Sequence, residues 1–474
     1  MIQRINTKEW AELTGESRFQ WSMAVLYVLF AVALLTGYVY YSQTNTEHET
    51  AQRTAYRQWL NQDPKSPHAA AHYGLYAYKP VPLMAVLDKG MDDYLGSAVW
   101  LEAHNQNDVK LRTIQDAATL SRFGSLTVGF LLQFLVPIFI ILLSYDAISK
   151  ERESGTLRIL LSTNVSTGQL LIGKWLAVFR VVVLCVFGPM FLLSAAIMAL
   201  AGGTANFVDA LPWLTGWVIC YALYYALWAG LGIYVSSQVK QSGIALVALL
   251  GFWTFGAFLV PRLCGSVARL AVPTPSALLF TEQIISDKET GINGGPSAQD
   301  YAELVERQTL AQYGVDSLTQ LPVSFAGIAL QASENRDWTI YDKNYGGLFR
   351  QFEQQERVME WLSTLSPTLA MRNLSRALAG TDTDKHIDFT NRAEGHRRNI
   401  QKAMNDDQKV NGANLNQGYK ADAALWQQVD QFQYRQPGIG TVIGNQLIGL
   451  FTMLGWLGLA GLLLLRASRN LRLD

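Results

Sequence analysis

Six histidines, His48, His68, His72, His104, His386 and His396, are the side chains in this 474-residue sequence best suited to hold a metal or move a proton near neutral pH. All six fall in polar stretches between apolar runs. His68 and His72 are four residues apart, a spacing that puts both on one helix face and suits zinc ligation. His104 would add a third ligand, and Met84 and Met91 are soft donors nearby. The same spacing arises when histidines cap helices or hydrogen-bond within a packed domain. That is the favoured reading, so no metal site is expected; His68, His72 and His104 are the candidates if one exists. No catalytic residue is expected either. Cys185, Cys220 and Cys264 form no Cys-x-x-Cys pair, and neither His-Glu-x-x-His nor Gly-x-Ser-x-Gly is present. Gly168-Gln-Leu-Leu-Ile-Gly173-Lys174 fits most of a phosphate-binding loop. Trp175 follows where Ser or Thr must hold magnesium, and no strand precedes, so nucleotide binding is not expected there.

The most informative charges lie between two apolar runs, in the stretch from Asp146 to Lys174. Ile148 precedes a charged cluster, Lys150 to Glu153, then a Gly155–Thr156 step, then Leu157, Leu160 and Leu161 at helical spacing. This pattern predicts a short amphipathic helix against the membrane, its charges offered to the cytosol.

The elements around these residues are apolar. Half the chain is hydrophobic and 16% is charged, against about 25% in soluble domains. Lys+Arg and Asp+Glu balance at 38 each, without the basic surplus of a nucleic-acid binder. Six runs approach the span of a bilayer: 21–41, 125–144, 175–201, 213–235, 243–262 and 441–465. Trp and Tyr mark many of their ends. Lys and Arg are about twice as dense on the side that holds both termini, which makes that side cytoplasmic. The fold expected is an all-α membrane protein of six transmembrane helices with two large, mainly helical extracytoplasmic insertions, 42–124 and 263–440. Helices are expected near 298–313, 387–405 and 420–433, and Leu348, Phe352, Met359 and Leu362 share one helix face. Aromatics such as Tyr73, Tyr76, Trp100, Trp338 and Trp361 can build a core there. Arg180 near the cytoplasmic end of the third run reads as snorkelling, Arg262 closes the fifth, and Asp209 sits in the short outer loop 202–212. No carboxylate or histidine lies at mid-membrane, which argues against an ion-coupled carrier or a charged-ring channel.

The stretch ERESGTLRILLSTNVSTGQLLIGKWLA resembles the signature loop of type-2 ABC transporter permeases (the ABC-2 class). The resemblance implies that 145–174 holds a coupling helix, with Glu151, Arg152, Glu153, Gly155, Thr156 and Leu157 facing a separate ATPase and Gly173–Lys174 closing the motif. Residues 1–20 are similar to the interfacial elbow helix of that class, and 466–474 would be a cytoplasmic tail. The insertions resemble a bacterial subgroup that carries a domain of unknown function there, through His68-Ala-Ala-Ala-His72-Tyr-Gly, Leu101-Glu-Ala-His104, Leu321-Pro-Val-Ser-Phe-Ala-Gly327, Ser366-Pro367 and Ala379-Gly-Thr-Asp382. The resemblance further implies a permease of a bacterial inner-membrane exporter, with no cofactor of its own. ATP and Mg would be bound by a cytoplasmic ABC ATPase dimer. A second permease copy or a similar permease would complete the assembly, with membrane lipid and a periplasmic protein as further partners. Two other readings stay open: a mechanotransmitting complex that transports nothing, and a membrane-anchored metal-handling protein. Gly230 and Gly232 in the fourth run, and Gly458 and Gly461 in the sixth, permit close helix approach.

Overall fold

The computed structural model describes residues 1–112, 115, 125–163, 165–412 and 418–471. The rest of the expected first insertion (113–114 and 116–124) and positions 472–474 of the expected tail lie outside the described residues. The protein is an all-α membrane protein. Among the described residues, five helical stretches are long and apolar enough to cross a membrane: Ser17–Leu60, Val128–Glu153, Thr167–Gln238, Ser242–Ala271 and Leu447–Asn470. The third is 72 residues long and folds back on itself. Gly203 breaks it at φ 70°, and the Trp175 indole donates to the Ala226 carbonyl at 2.9 Å, so the two arms run alongside each other. The expected loop 202–212 is therefore helix on both sides of one glycine, and Asp209 stands on that helix.

Three apolar stretches contain a wide turn followed by a proline: Leu131–Leu135 before Pro137, Val182–Phe187 before Pro189, and Phe255–Leu259 before Pro261. Proline brings no N–H, so a carbonyl four or five residues earlier loses its backbone donor. Each is answered by a hydroxyl from another segment. Tyr225 donates to Leu132 at 3.2 Å and Tyr224 to Gln133 at 2.9 Å, Tyr27 donates to Cys185, and Ser366 donates to Gly256 at 2.8 Å. In an apolar surrounding, unanswered carbonyls would be costly, and these hydroxyls fix which helices lie together.

The two insertions do not stand apart from the helical bundle. Helix Pro367–Ala379 enters the bundle, buried at every position except Arg372 and Arg376. Leu369 apart, its apolar side chains join the same core as Phe30, Val136 and Trp228. Ser375 receives the Trp217 indole at 3.0 Å and donates to Asp88 at 2.5 Å, and Asp88 also accepts from Gln133 at 3.2 Å. The two insertions thus meet inside the bundle as well as above it.

A second core lies away from the bundle core, where Trp59, Leu75 and Val99 of the first insertion pack with Phe389, Ile400 and Trp426 of the second. Helix Ser17–Leu60 runs unbroken from one core to the other; its 44 residues make a rod of about 66 Å. Beyond this rod the first insertion is not mainly helical. Strands Leu75–Tyr78 and Ala98–Leu101 pair antiparallel, Leu75 opposite Leu101 and Tyr76 opposite Trp100. Their β-branched and aromatic residues suit a pleated surface better than a helix. The helices expected at 298–313 and 387–405 are Ala298–Tyr313 and Thr383–Asn411. The one expected at 420–433 is helical only at Ala423–Trp426. Its carbonyls are claimed by side chains: Trp59 donates to Trp426 at 3.0 Å and Tyr56 to Val429 at 3.0 Å. Val429 and Phe432 are buried on irregular backbone instead. The expected face of Leu348, Phe352 and Met359 belongs to helix Phe325–Leu362 and lines a cavity of about 550 Å³.

Candidate functional site

The loop after the second apolar stretch is two short helices rather than one, Ser149–Glu153 and Thr156–Ser162. Gly155 separates them in the left-handed region at φ 75°, ψ −3°, a conformation that costs an L-residue roughly 1–2 kcal/mol. Two of the charged residues expected to face the cytosol, Arg152 and Glu153, also bind the ends of apolar helices. Arg152 donates to the carbonyls of Ser237, at 2.9 Å, and Val239, at the end of helix Gly188–Gln238. Glu153 accepts from the backbone N–H of Ser242 at 2.7 Å and from its hydroxyl at 3.2 Å, where helix Ser242–Thr254 begins. A cation on a helix C-terminus and an anion on an N-terminus are the favourable pairing with the helix dipole. The two residues therefore clamp the joint between consecutive apolar helices. Glu151 accepts from Thr156 at 2.6 Å and from Lys174 at 3.4 Å. Leu157 is 1% exposed. The exposed surface of the loop includes Lys150, Glu153, Ser154, Gly155, Thr156, Arg158 and Ile159, the last 65% exposed.

The N-terminal helix Ile2–Gly15 lies against helix Thr167–Val181. Gly173 makes this possible, because a Cβ there would sit 2.7 Å from Ile5 Cγ2. Lys174 reaches Glu9 at 2.7 Å, and Arg180 lies 4.6 Å over the Trp10 ring and donates to Asn6 at 3.2 Å. Arg180 is held by this helix, a partner that the snorkelling reading lacked. The run Gly168–Lys174 lies within helix Thr167–Val181, capped by Ser166 and Gln169, rather than in a loop.

Three of the six histidines come together. His68 and His72 share helix Pro67–Tyr73, their Nε2 atoms 3.2 Å apart, and the His104 ring lies beside both. The others pack: His48 contacts the Lys79 carbonyl at 2.8 Å, His396 lies against Phe432, and His386 lines the 550 Å³ cavity. Met84 is buried in the bundle core and Met91 lines another cavity of about 310 Å³ with Arg262, Arg372 and Arg376, so neither is a donor to the cluster. Sequence reasoning missed Glu334, which meets His104 Nδ1 at 2.6 Å. A single acid inside a long helix carries no signal that would have found it. Of the glycines expected at helix contacts, Gly232 faces Ser144 and Gly230 faces Ala460, whereas Gly458 and Gly461 have open space before them.

Residues 35–263 match the model of the ABC-2 family transporter protein. The chain carries an ABC-2 transporter permease domain. Residues 281–435 match a domain of unknown function, DUF3526, and lie within the second insertion. Two relatives are described as probable ABC transporter permease protein NosY. That of Pseudomonas aeruginosa is 35% identical over 131 residues, 26% of this chain and 44% of the relative. That of Stutzerimonas stutzeri is 30% identical over 172 residues, 36% of this chain and 56% of the relative. The chain thus spans about half the length of these curated relatives. The ABC-2 domain contains the loop and both helix ends to which Arg152 and Glu153 are bound.

Proposed function

We propose that this chain is the transmembrane subunit of a bacterial inner-membrane ABC exporter, both termini cytoplasmic, driven by a separate cytoplasmic ATPase dimer that holds ATP and Mg. The observation that carries the reading is the clamp by Arg152 and Glu153 on the ends of two successive apolar helices. A force on the exposed Ser154–Thr156 turn passes through these side chains to both helices, and through Glu151 and Lys174 to the N-terminal helix. Glu151, Arg152 and Glu153 then act as transmission links, and Ser154, Thr156 and Ile159 form the docking face. Six crossings follow if the arms on either side of Gly203 each span. A second permease, identical or similar, completes the pathway, and the open face at Gly458 and Gly461 suits close approach of such a partner or of lipid.

Helix Ser17–Leu60 favours a second reading beside transport. It places Phe30 in the bundle core and Trp59 in the outer core on one rigid element, so bundle movement reaches the outer domain directly. Such a chain can do mechanical work on a periplasmic partner. The test is a mild-detergent pull-down from native membranes with mass spectrometry. A stoichiometric ABC ATPase supports the reading, and its absence after cross-linking refutes it. A co-purified periplasmic protein, with no cargo accumulated in vesicles, favours mechanotransmission.

A further inference from the structure

His68, His72, His104 and Glu334 form a cluster that neither the coupling loop nor either core uses. His68 and His72 stand one turn apart on helix Pro67–Tyr73, whose start is fixed by Pro67 and by Ser66 accepting from the Ala69 N–H at 3.3 Å. Their Nε2 atoms are 3.2 Å apart. Two nitrogens on a tetrahedral zinc, each about 2.0–2.1 Å from the ion, stand roughly 3.3–3.4 Å from one another. This pair already has that separation. One ring donating N–H to the other would explain the pair, but not the third ring. The centroid of His104 lies 5.2 Å and 4.9 Å from those of His68 and His72, and one nitrogen of each ring lies within 4.8 Å of the others. The nitrogens have at most about 1.5 Å to close to reach the separation of zinc ligands.

His104 is held in place by unusual means. Its φ of 66° lies in the left-handed region, which few non-glycine residues adopt. Its carbonyl accepts from the Tyr341 hydroxyl at 2.7 Å and from Lys288 at 3.2 Å. Its Nδ1 meets Glu334 Oε1 at 2.6 Å. Glu334 is 3% exposed, and its Oε2 has no hydrogen-bond partner among the described residues. A buried carboxylate left half-satisfied is costly unless positive charge lies close by. A carboxylate on the far nitrogen of a histidine is also the usual outer support of a metal ligand, since it fixes the tautomer and leaves Nε2 to bind.

We propose that His68, His72 and His104 bind one divalent transition-metal ion, with zinc as the probe, and that Glu334 orients His104 from behind. Three imidazoles without thiolate favour zinc, copper or nickel over magnesium or calcium. The exposure of His72 leaves a fourth position open to water. The three ligands come from the first outer segment and Glu334 from the second, so the ion also ties the two segments together. This inference does not rest on the coupling assignment.

The test uses the full chain in detergent, stripped by chelator and titrated with zinc chloride, with bound metal counted after desalting. One equivalent per chain and a higher thermal midpoint are expected, because an ion that binds only the folded form stabilises it. His72→Ala should melt like the metal-free wild type, and zinc should neither remain bound nor raise its midpoint. Glu334→Gln should keep the site with affinity weaker by about 10–100-fold. Well under one equivalent on the wild type, or full binding by His72→Ala, overturns the site. Unchanged affinity in Glu334→Gln overturns the role of Glu334, and equal binding of calcium overturns the choice of ion class.

Discussion

Lys174 Nζ lies 2.7 Å from Glu9 Oε1, and this contact joins the N-terminal helix to helix Thr167–Val181. The Lys174 side chain is almost wholly buried and has a second carboxylate, Glu151, at 3.4 Å. The loop, the N-terminal helix and the third apolar stretch therefore share one ammonium group.

Removing that group should be severe. Lys174→Met leaves two half-buried carboxylates facing each other, and breaking a buried pair in this way costs roughly 3–5 kcal/mol. The variant should melt at a markedly lower temperature in detergent. Glu9→Gln combined with Lys174→Met should recover much of the loss, since only Glu151 is then left charged, and it keeps Thr156 and Lys8 as partners. If the double variant is no better than the single one, the charge is not what matters at this contact.

The turn itself should be sensitive without being needed for folding. Gly155→Pro demands a φ near −65° where the chain has +75°. Glu151→Lys sets a third cation beside Lys8 and Lys174. Ile159→Glu changes only an exposed side chain. All three should still insert, while ATPase co-purification or ATP-driven activity falls at least about tenfold, a change worth roughly 1.4 kcal/mol at the interface. Full activity in Ile159→Glu together with Gly155→Pro would remove this surface from the coupling path.

The class of fold was legible because apolar run length and charge density report directly on the bilayer, and the loop because glycine, charge and leucine spacing survive in one short segment. What the charges do was not legible. Arg152 and Glu153 look like solvated charges in sequence, and only the folded chain shows the helix ends 85 to 89 positions away that they bind. The entry of Pro367–Ala379 into the bundle was hidden for a related reason. Its Ser, Thr and Asn residues read as surface, yet in the fold Ser375 and Thr368 meet Trp217 and Tyr224. The histidine cluster was half visible: the i, i+4 pair is a local pattern, whereas His104 and Glu334 join it through tertiary contacts alone.

The hydroxyls that answer proline-freed carbonyls give a prediction with its own control. Tyr225→Phe should cost about 1–3 kcal/mol, because the Leu132 carbonyl is left buried without a donor. In a Pro137→Ala background the backbone N–H returns, and the same substitution should cost clearly less. Thermal midpoints of the four proteins measure the coupling. Equal costs in both backgrounds would show that Tyr225 matters by packing and not by its hydrogen bond.

The junction between the outer segment and the last apolar helix should respond to pH in the direction opposite to a salt-bridged carboxylate. Burial first, then the charges of Asp384 and Glu356, push Glu360 up to about 7. Burial first, then Asp384, likewise pushes Asp382 up to about 7. Gln446 and Asn445, where the last helix begins, donate to Glu360 at 3.4 Å and to Asp384 at 3.3 Å. In the unfolded chain such carboxyls ionise near pH 4. Between about pH 4 and 7 these two carboxyls therefore hold more protons in the folded chain than in the unfolded one, so their contribution to stability falls as pH rises and levels off above about 7. Burial makes His48, His386 and His396 resist charging in the fold, and their contribution runs the other way. Comparison with Asp384→Asn isolates the carboxyls, because it removes the charge common to both shifts. Between about pH 5.5 and about pH 8 the thermal midpoint of the wild type should fall relative to that of the variant. A wild-type midpoint that stays level with the variant's, or rises relative to it, over this window would mean that Asp384 does not keep these carboxyls protonated.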